Sequence, residues 1–197
     1  MGETSKYMSY EIKKFANLEG FTAFSATAIQ NHLALYEGYV KNVNKLLEYL
    51  DTKESGTTEY SELQRRFGWE FDGMRLHELY FENMTNNEVV LDSSFRINEA
   101  INKVYGSFEN WKKNFSTIGM MRGIGWVVLY FDPSNGELFN TWVHEHDGGH
   151  LAGCVPLLVM DVWEHSYITD FGIKRADYIE KFIPHIDWQV VEGRFDN

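Results

Sequence analysis

Apolar side chains recur between Ser25 and about Leu50 at Ile29, Leu33, Tyr36, Val40, Val43, Leu47 and Leu50. The alternating steps of four and three lay one apolar face along a long helix. Ser25 precedes the first of them and suits the N-cap, where a hydroxyl can accept from a free main-chain N–H. Asp51 to Thr58 is a polar connector. A second helix is predicted from about Glu59 to Met84, with Leu63, Phe67, Phe71, Met74, His77 and Phe81 on one side. Two long helices joined by a short polar loop predict an antiparallel hairpin.

The pattern changes from Arg96 onward. Short helices are expected at Arg96–Tyr105 and Ser107–Met120. Ile124 to Phe131 is β-branched and aromatic and reads as a strand. Asp132-Pro-Ser-Asn-Gly136 is a turn, Leu138 to Val143 a second strand paired with the first, and Pro156 to Met160 a third. A C-terminal helical region follows Asp161 and ends near Val191. The fold class is therefore α+β: an N-terminal antiparallel helical hairpin, then an α/β part with a small, about three-stranded antiparallel sheet and a C-terminal helix. The expected division is a hairpin domain over residues 1–90 and an α+β domain over 91–197.

Composition narrows the function. The 197 residues are 44% hydrophobic, 24% charged and 16% aromatic, which is a globular balance with material for a well-filled core. The formal net charge of −11 argues against nucleic acid and anionic membrane surfaces as partners. No run of about 18 apolar residues is present to span a membrane. The polar start, Met1 to Tyr10, has no apolar signal region, and Lys6 stands where a myristoylation start wants Ser or Thr. The single cysteine, Cys154, excludes an intramolecular disulfide and fits a reducing compartment. The expected location is cytoplasmic.

The chemistry lies with seven histidines. Three crowd into His144-Glu-His-Asp-Gly-Gly-His150. That cluster approaches the H-x-H-x-D-H pattern of zinc hydrolases, but Asp147 follows His146 directly and few residues remain for later ligands. A Gly-rich surface loop with incidental histidines is the other reading. His32 and His77 lie on the apolar sides of the two long helices, where a lone histidine is usually a satisfied core residue. Asp161-Val-Trp-Glu-His165 puts a carboxylate at a strand end and an imidazole one helical turn later. These can converge on a metal with His32 and His77, or they can be a capped helix with a buried histidine. A set of three imidazoles and one carboxylate suits Fe, Mn or Zn.

Asp161-Val-Trp-Glu-His165-Ser-Tyr resembles the D-V-W-E-H-A-Y signature of the iron/manganese superoxide dismutases. The resemblance continues through Lys174-Arg-Ala-Asp-Tyr178 and Phe182 to Asp187-Trp188. Upstream, Tyr39-Val-Lys-Asn-Val-Asn-Lys-Leu resembles the family's Y-V-N-N-L-N-K-L, and Gly123-Ile-Gly-Trp126 its G-S-G-W. The match covers roughly residues 25 to 190. It implies an antioxidant oxidoreductase that turns superoxide into dioxygen and hydrogen peroxide by redox cycling of one ion. The implied ligands are His32, His77, Asp161 and His165, at the junction of the two domains. Tyr39 is implied as the gateway tyrosine, and Trp126 and Trp163 as apolar walls. Glu164 would reach the partner's copy of His165 across a homodimer, with a tetramer as the alternative assembly. The family places a Gln or His beside the metal's solvent. Gly73 occupies one of its two places, so His146, of the pair His146-Asp147, is implied instead. His144 and His150 receive no role.

The chain also departs from the family. One residue fewer than usual separates His32 from Tyr39, as loss of a π-bulge would give; a gap-free register would offer Asn31 as ligand. Leu35 and Ile168 replace a histidine–tyrosine pair near the gate. Val159, two residues before Asp161, occupies a position that in the family tunes metal preference, and the resemblance implies iron for a β-branched residue there, with manganese the alternative. No Lys or Arg occurs from Gly123 to Ile173, and Lys174 and Arg175, which end that stretch, match the family's basic pair near the substrate funnel. The other readings are a metal-binding relative without turnover, a zinc hydrolase using His144, His146 and His150, and a structural α+β interaction protein.

Overall fold

In a computed structural model, residues 6–87 and 89–196 are described; the start of the polar N-terminal stretch, Met1–Ser5, lies outside the described residues. Helix α1 spans Ala26–Thr52, and the Ser25 hydroxyl accepts from the Ala28 N–H at its start. It runs past Leu50 because the Thr52 hydroxyl donates to the carbonyls of Glu48 and Tyr49, holding the last turn together. Helix α2 spans Thr58–Glu82, with Thr57 as N-cap. The cross-helix pairs Tyr36–Glu78, Asn42–Glu70 and Lys53–Glu59 run in opposite chain directions, which makes the two helices antiparallel. α1 is α-helical throughout, with no π turn between His32 and Tyr39.

Helices α3 (Arg96–Tyr105) and α4 (Phe108–Gly119) lead into strands β1 (Gly125–Asp132), β2 (Glu137–His144) and β3 (Val155–Asp161). The sheet is antiparallel with β1 at its centre, in the order β2-β1-β3. Gly125 opens β1 because a Cβ there would collide with the carbonyl oxygen of Val143. The outer edge of β3 is closed by side chains. Asn83 donates to the Val159 carbonyl at 3.2 Å and accepts from its N–H at 2.9 Å, and Arg194 donates to the Leu157 carbonyl at 2.8 Å. A closed edge does not template another strand. It also ties the end of α2 to β3, which brings His77 level with Asp161.

The C-terminal region differs from the single expected helix. It is three helices, α5 (Glu164–Phe171), α6 (Arg175–Phe182) and α7 (Trp188–Phe195). Gly172, at φ 58°, ends α5 in a conformation that L side chains rarely adopt, and Pro184 sits in the tight turn Ile183–His185 after α6. α7 also serves α3, whose N-cap Phe95 has no capping side chain: the Glu192 carboxylate accepts from the N–H groups of Arg96 and Ile97 at 2.8 Å.

Candidate metal centre

His32 comes from the second turn of α1, His77 from α2, Asp161 from the last residue of β3 and His165 from the first turn of α5. One potential ligand atom from each lies within 4.8 Å of every other, and among the described residues this is the one such grouping of three or more. His32 Nε2 and His165 Nε2 each lie 3.0 Å from Asp161 Oδ2, and His77 Nε2 lies 3.9 Å from the same oxygen. The main-chain N–H of Trp163 donates to the other oxygen, Oδ1, at 2.8 Å, so the carboxylate is held with Oδ2 toward the histidines. His32 is buried and Asn31 is exposed, so α1 brings His32, and not Asn31, to this point.

His77 tests whether a cation fits. Its Nδ1 lies 2.6 Å from the Gly73 carbonyl, which only accepts, so Nδ1 carries the proton. Nε2 is then a bare lone pair, fully buried and without a hydrogen-bond partner. A buried acceptor left unpaired is costly and uncommon. A cation among the three imidazoles and the carboxylate would satisfy it. Nitrogen and oxygen donors without thiolate suit Fe, Mn or Zn. The residues present therefore fit a metal ion.

The electrostatics agree. Burial pushes Asp161 toward its neutral form, but His165 and His32 beside it outweigh that and hold its carboxyl far below the usual carboxylate range. Asp161 stays an anion. Burial pushes His32 down, and His77 well below the ordinary histidine value. Burial also opposes charge on His165, yet the Asp161 carboxylate raises it overall. Two neutral imidazoles and one fixed anion suit a cation, and His165 would release its proton to join them.

Around this cluster stands an aromatic shell. The Tyr39 ring lies 5.1 Å from His77, and the Trp126 ring 4.9 Å from it. Trp163 stacks on His146 at 4.8 Å and lies 6.0 Å from His165. His146 is fully buried. The Trp126 indole N–H, which can only donate, meets His146 Nδ1 at 3.1 Å, so the His146 proton is on Nε2. That Nε2–H donates to the Tyr39 oxygen at 2.7 Å. Burial lowers His146 to about 4, so it stays neutral. Tyr39 is pushed up, chiefly by burial and then by Asp161, and keeps its proton. Gly73 makes room: a Cβ there would lie 2.7 Å from the Tyr39 ring.

Trp69 completes the shell, and sequence reasoning missed it. Its ring lies 4.4 Å from His146, and its N–H donates to Glu145 at 3.0 Å. Its only signal is helical spacing, two turns before His77 on α2.

The remaining candidates lie apart. His144 is 65% exposed and 3.5 Å from Glu145. His146 is engaged by Trp126 and Tyr39, and His150 by Tyr130 and the His146 carbonyl. The three histidines of the loop do not converge, which removes the zinc-hydrolase reading. Glu164 is exposed beside His165, and Leu35 and Ile168 are exposed apolar residues. Lys174 is exposed and 3.9 Å from Asp177. Arg175 donates to the carbonyls of Met121 and Gly123 at 2.8 and 2.9 Å, so it fastens a turn as well as carrying charge.

Comparison with known proteins supplies the context. A family model described as iron/manganese superoxide dismutases, C-terminal domain, matches residues 93–194. A protein of Cupriavidus metallidurans named superoxide dismutase [Fe] is 34% identical over 195 residues, covering 95% of this chain and 97% of that protein. A superoxide dismutase [Mn] of Haloferax volcanii is 33% identical over 84% of this chain and 83% of its own length. A superoxide dismutase [Mn/Fe] of Aeropyrum pernix is 32% identical over 84% of this chain and 79% of its own.

Proposed function

Because the chain belongs to the iron/manganese superoxide dismutase family, we propose how its own residues divide the work of that reaction. The protein is a metal-dependent superoxide dismutase that uses iron or manganese. The observation that carries the assignment of its site is the convergence of His32, His77, Asp161 and His165 within 4.8 Å, with His77 Nε2 otherwise unpaired.

These four residues hold the ion. When bound, the ion supplies one-electron chemistry, so that one superoxide is oxidised to dioxygen and a second is reduced to hydrogen peroxide with two protons. The chain does the rest. Trp126, Trp163 and Trp69 wall the site beside His77, His165 and His146. His146, donating from Nε2, occupies one lone pair of the Tyr39 oxygen and leaves the Tyr39 proton free to be donated elsewhere. Raised by burial, Tyr39 acts as a held donor that passes a proton in a hydrogen bond, not as an ionised group. Trp126 fixes the His146 tautomer and so sets the direction of that bond.

Iron is the ion we assign over manganese, on the β-branched Val159 two residues before Asp161. The protein is a homodimer on this reading, with Glu164 of each copy meeting His165 of the other. Support comes from Met120, Met121 and Ile173, exposed apolar side chains that line one surface hollow with Glu164. The chain divides into a hairpin domain, 1–90, and an α+β domain, 91–197. We place it in the cytoplasm, in keeping with a single cysteine; no described helix is long and apolar enough to cross a membrane.

The test is elemental analysis of the purified protein, followed by superoxide decay with separately iron- and manganese-loaded chains. Turnover above free-metal controls, highest with iron, is expected. No turnover with either metal defeats the reading, and higher turnover with manganese defeats the iron assignment. Sedimentation separates a dimer from a monomer or tetramer.

A further inference from the structure

One histidine of the crowded loop has work that the dismutase reading leaves undescribed. His150 Nε2 lies 2.7 Å from the main-chain carbonyl of His146. Its Nδ1 lies 2.7 Å from the Tyr130 hydroxyl. A carbonyl only accepts, so Nε2 carries the proton, Nδ1 accepts, and Tyr130 donates. Asp72 Oδ2, 3.5 Å from the same Nε2, is a second, longer-range acceptor. Tyr130 is itself buried, at 3% exposure, on the central strand.

The segment that His150 grips needs an anchor. His144 and Gly148 exchange two main-chain hydrogen bonds, of 2.6 and 3.1 Å, and close a tight loop with His146 at its middle. Glu145, just before His146, has φ 51°, a left-handed conformation unusual for a residue with a Cβ. The loop is tied at its start, where the Glu145 N–H donates to the Ile124 carbonyl at 3.1 Å just before β1; His146 itself is held by two side chains from one face of β1. Trp126 holds the His146 ring directly, and Tyr130 holds the His146 backbone through His150.

We propose that His150 is a positioning residue of this dismutase: it fixes His146 so that its Nε2–H meets the Tyr39 oxygen. The consequence for turnover rests on the dismutase reading; the hydrogen-bond linkage does not. Tyr130 stabilises His150 in the tautomer that can donate to the His146 carbonyl, and Gly149 lets the loop pass close to Trp142, whose carbonyl would lie 2.9 Å from a Cβ there.

The experiment uses the full chain with zinc as a diamagnetic occupant of the site and follows solvent exchange of the His146 Nε2–H by nitrogen-labelled NMR. His150→Ala should accelerate that exchange roughly tenfold, as the loss of one hydrogen bond gives. His150→Gln, which keeps a donor at the reach of Nε2, should restore much of it. In the iron- or manganese-loaded enzyme, His150→Ala should lower kcat by about tenfold, with metal content unchanged, as supporting residues around a metal site do. Should His150→Ala fail to fold, Tyr130→Phe carries the test, with a smaller acceleration expected. Unchanged exchange overturns the proposal. So does faster exchange with unchanged kcat, or a Gln variant no better than Ala. An unmodified enzyme without dismutation would defeat the dismutase reading alone, because the exchange measurement still judges the linkage.

Discussion

Two sets of three histidines teach opposite lessons. His144, His146 and His150 crowd into one short loop, and each points at a different partner: Glu145, the Trp126–Tyr39 pair, and the Tyr130–His146 backbone pair. His32, His77 and His165 are scattered along the chain on three helices, and all three face one carboxylate oxygen. Crowding in sequence makes a motif conspicuous without making a site. A site forms where rigid elements converge and where one ring nitrogen is tied off so that the other is presented, as the Gly73 carbonyl does for His77.

The comparison breaks most severely if the scattered set is not the metal set. His77→Ala should cost more than a hundredfold in superoxide turnover, because it removes the donor with no other partner and leaves the remaining three misplaced. Metal content by elemental analysis should fall in parallel, while far-ultraviolet circular dichroism stays helical. Stoichiometric metal with near-normal turnover in this variant would show that the four residues are not the centre. Stripping the metal with chelator should likewise lower Tm, since a ligand bound only to the folded chain at a hundred times its Kd contributes about 2.7 kcal/mol.

How much of this was readable beforehand follows the same division. The two long helices announce themselves by spacing, and Ser25 by its place before the first apolar step, because helix periodicity and capping are local properties. The strands are readable to within a residue or so at each end, being β-branched and bounded by turns. The resemblance of the Asp161–Tyr167 segment to a family signature points to the ligands. The division of the C-terminal region into three helices is less visible, since its breaks depend on Gly172 and Pro184 inside an otherwise helical pattern. What a sequence does not carry is direction. That Trp126 forces the His146 proton onto Nε2, that Trp69 packs on His146, and that Tyr130 holds His150 all depend on where strands and helices meet in space. Arg175 shows the same limit: its charge is legible, but not that its guanidinium is engaged by the main-chain carbonyls of Gly119, Met121 and Gly123.

Two variants sharpen the difference between holding a histidine and presenting it. Trp126→Phe leaves the His146 Nδ1 buried without its donor, which should cost about 1–3 kcal/mol in stability. It also frees the proton to sit on either ring nitrogen. The bond to Tyr39 loses its fixed direction, and kcat should drop by roughly tenfold. Denaturant unfolding and steady-state kinetics read the two effects separately; a kcat that survives intact would mean that the tautomer is fixed by something other than Trp126. Gly73→Ala acts from the other side. The new Cβ would stand 2.7 Å from the Tyr39 ring on a buried stretch of α2. Overpacking of this kind costs about 1–3 kcal/mol, against a helix-propensity gain for Ala of about 1 kcal/mol. The net is a small loss of stability, and kcat falls further than Tm because Tyr39 is the group displaced. A more stable variant with unaltered kcat would mean that Tyr39 can shift without leaving His146.

The smallest expected effect is the strictest check on the contrast. His144 stands in the most conspicuous histidine motif of the chain, yet its side chain is 65% exposed and its one close charged neighbour, Glu145, is itself 42% exposed at 3.5 Å. A contact this open is weak, because water competes for both groups and two mobile side chains must be ordered to form it. The His144 main chain carries the real structural duty, in its two hydrogen bonds with Gly148, and a change of side chain leaves that intact. His144→Ala should therefore shift stability by no more than about 0.5 kcal/mol and leave metal content, kcat and the His146 exchange rate at their starting values. A loss of metal or of turnover in this variant would put the crowded loop back in contention as a ligand source. The same substitution at His150, six residues on and equally prominent in the motif, should loosen His146, because there the side chain makes the connection to the central strand.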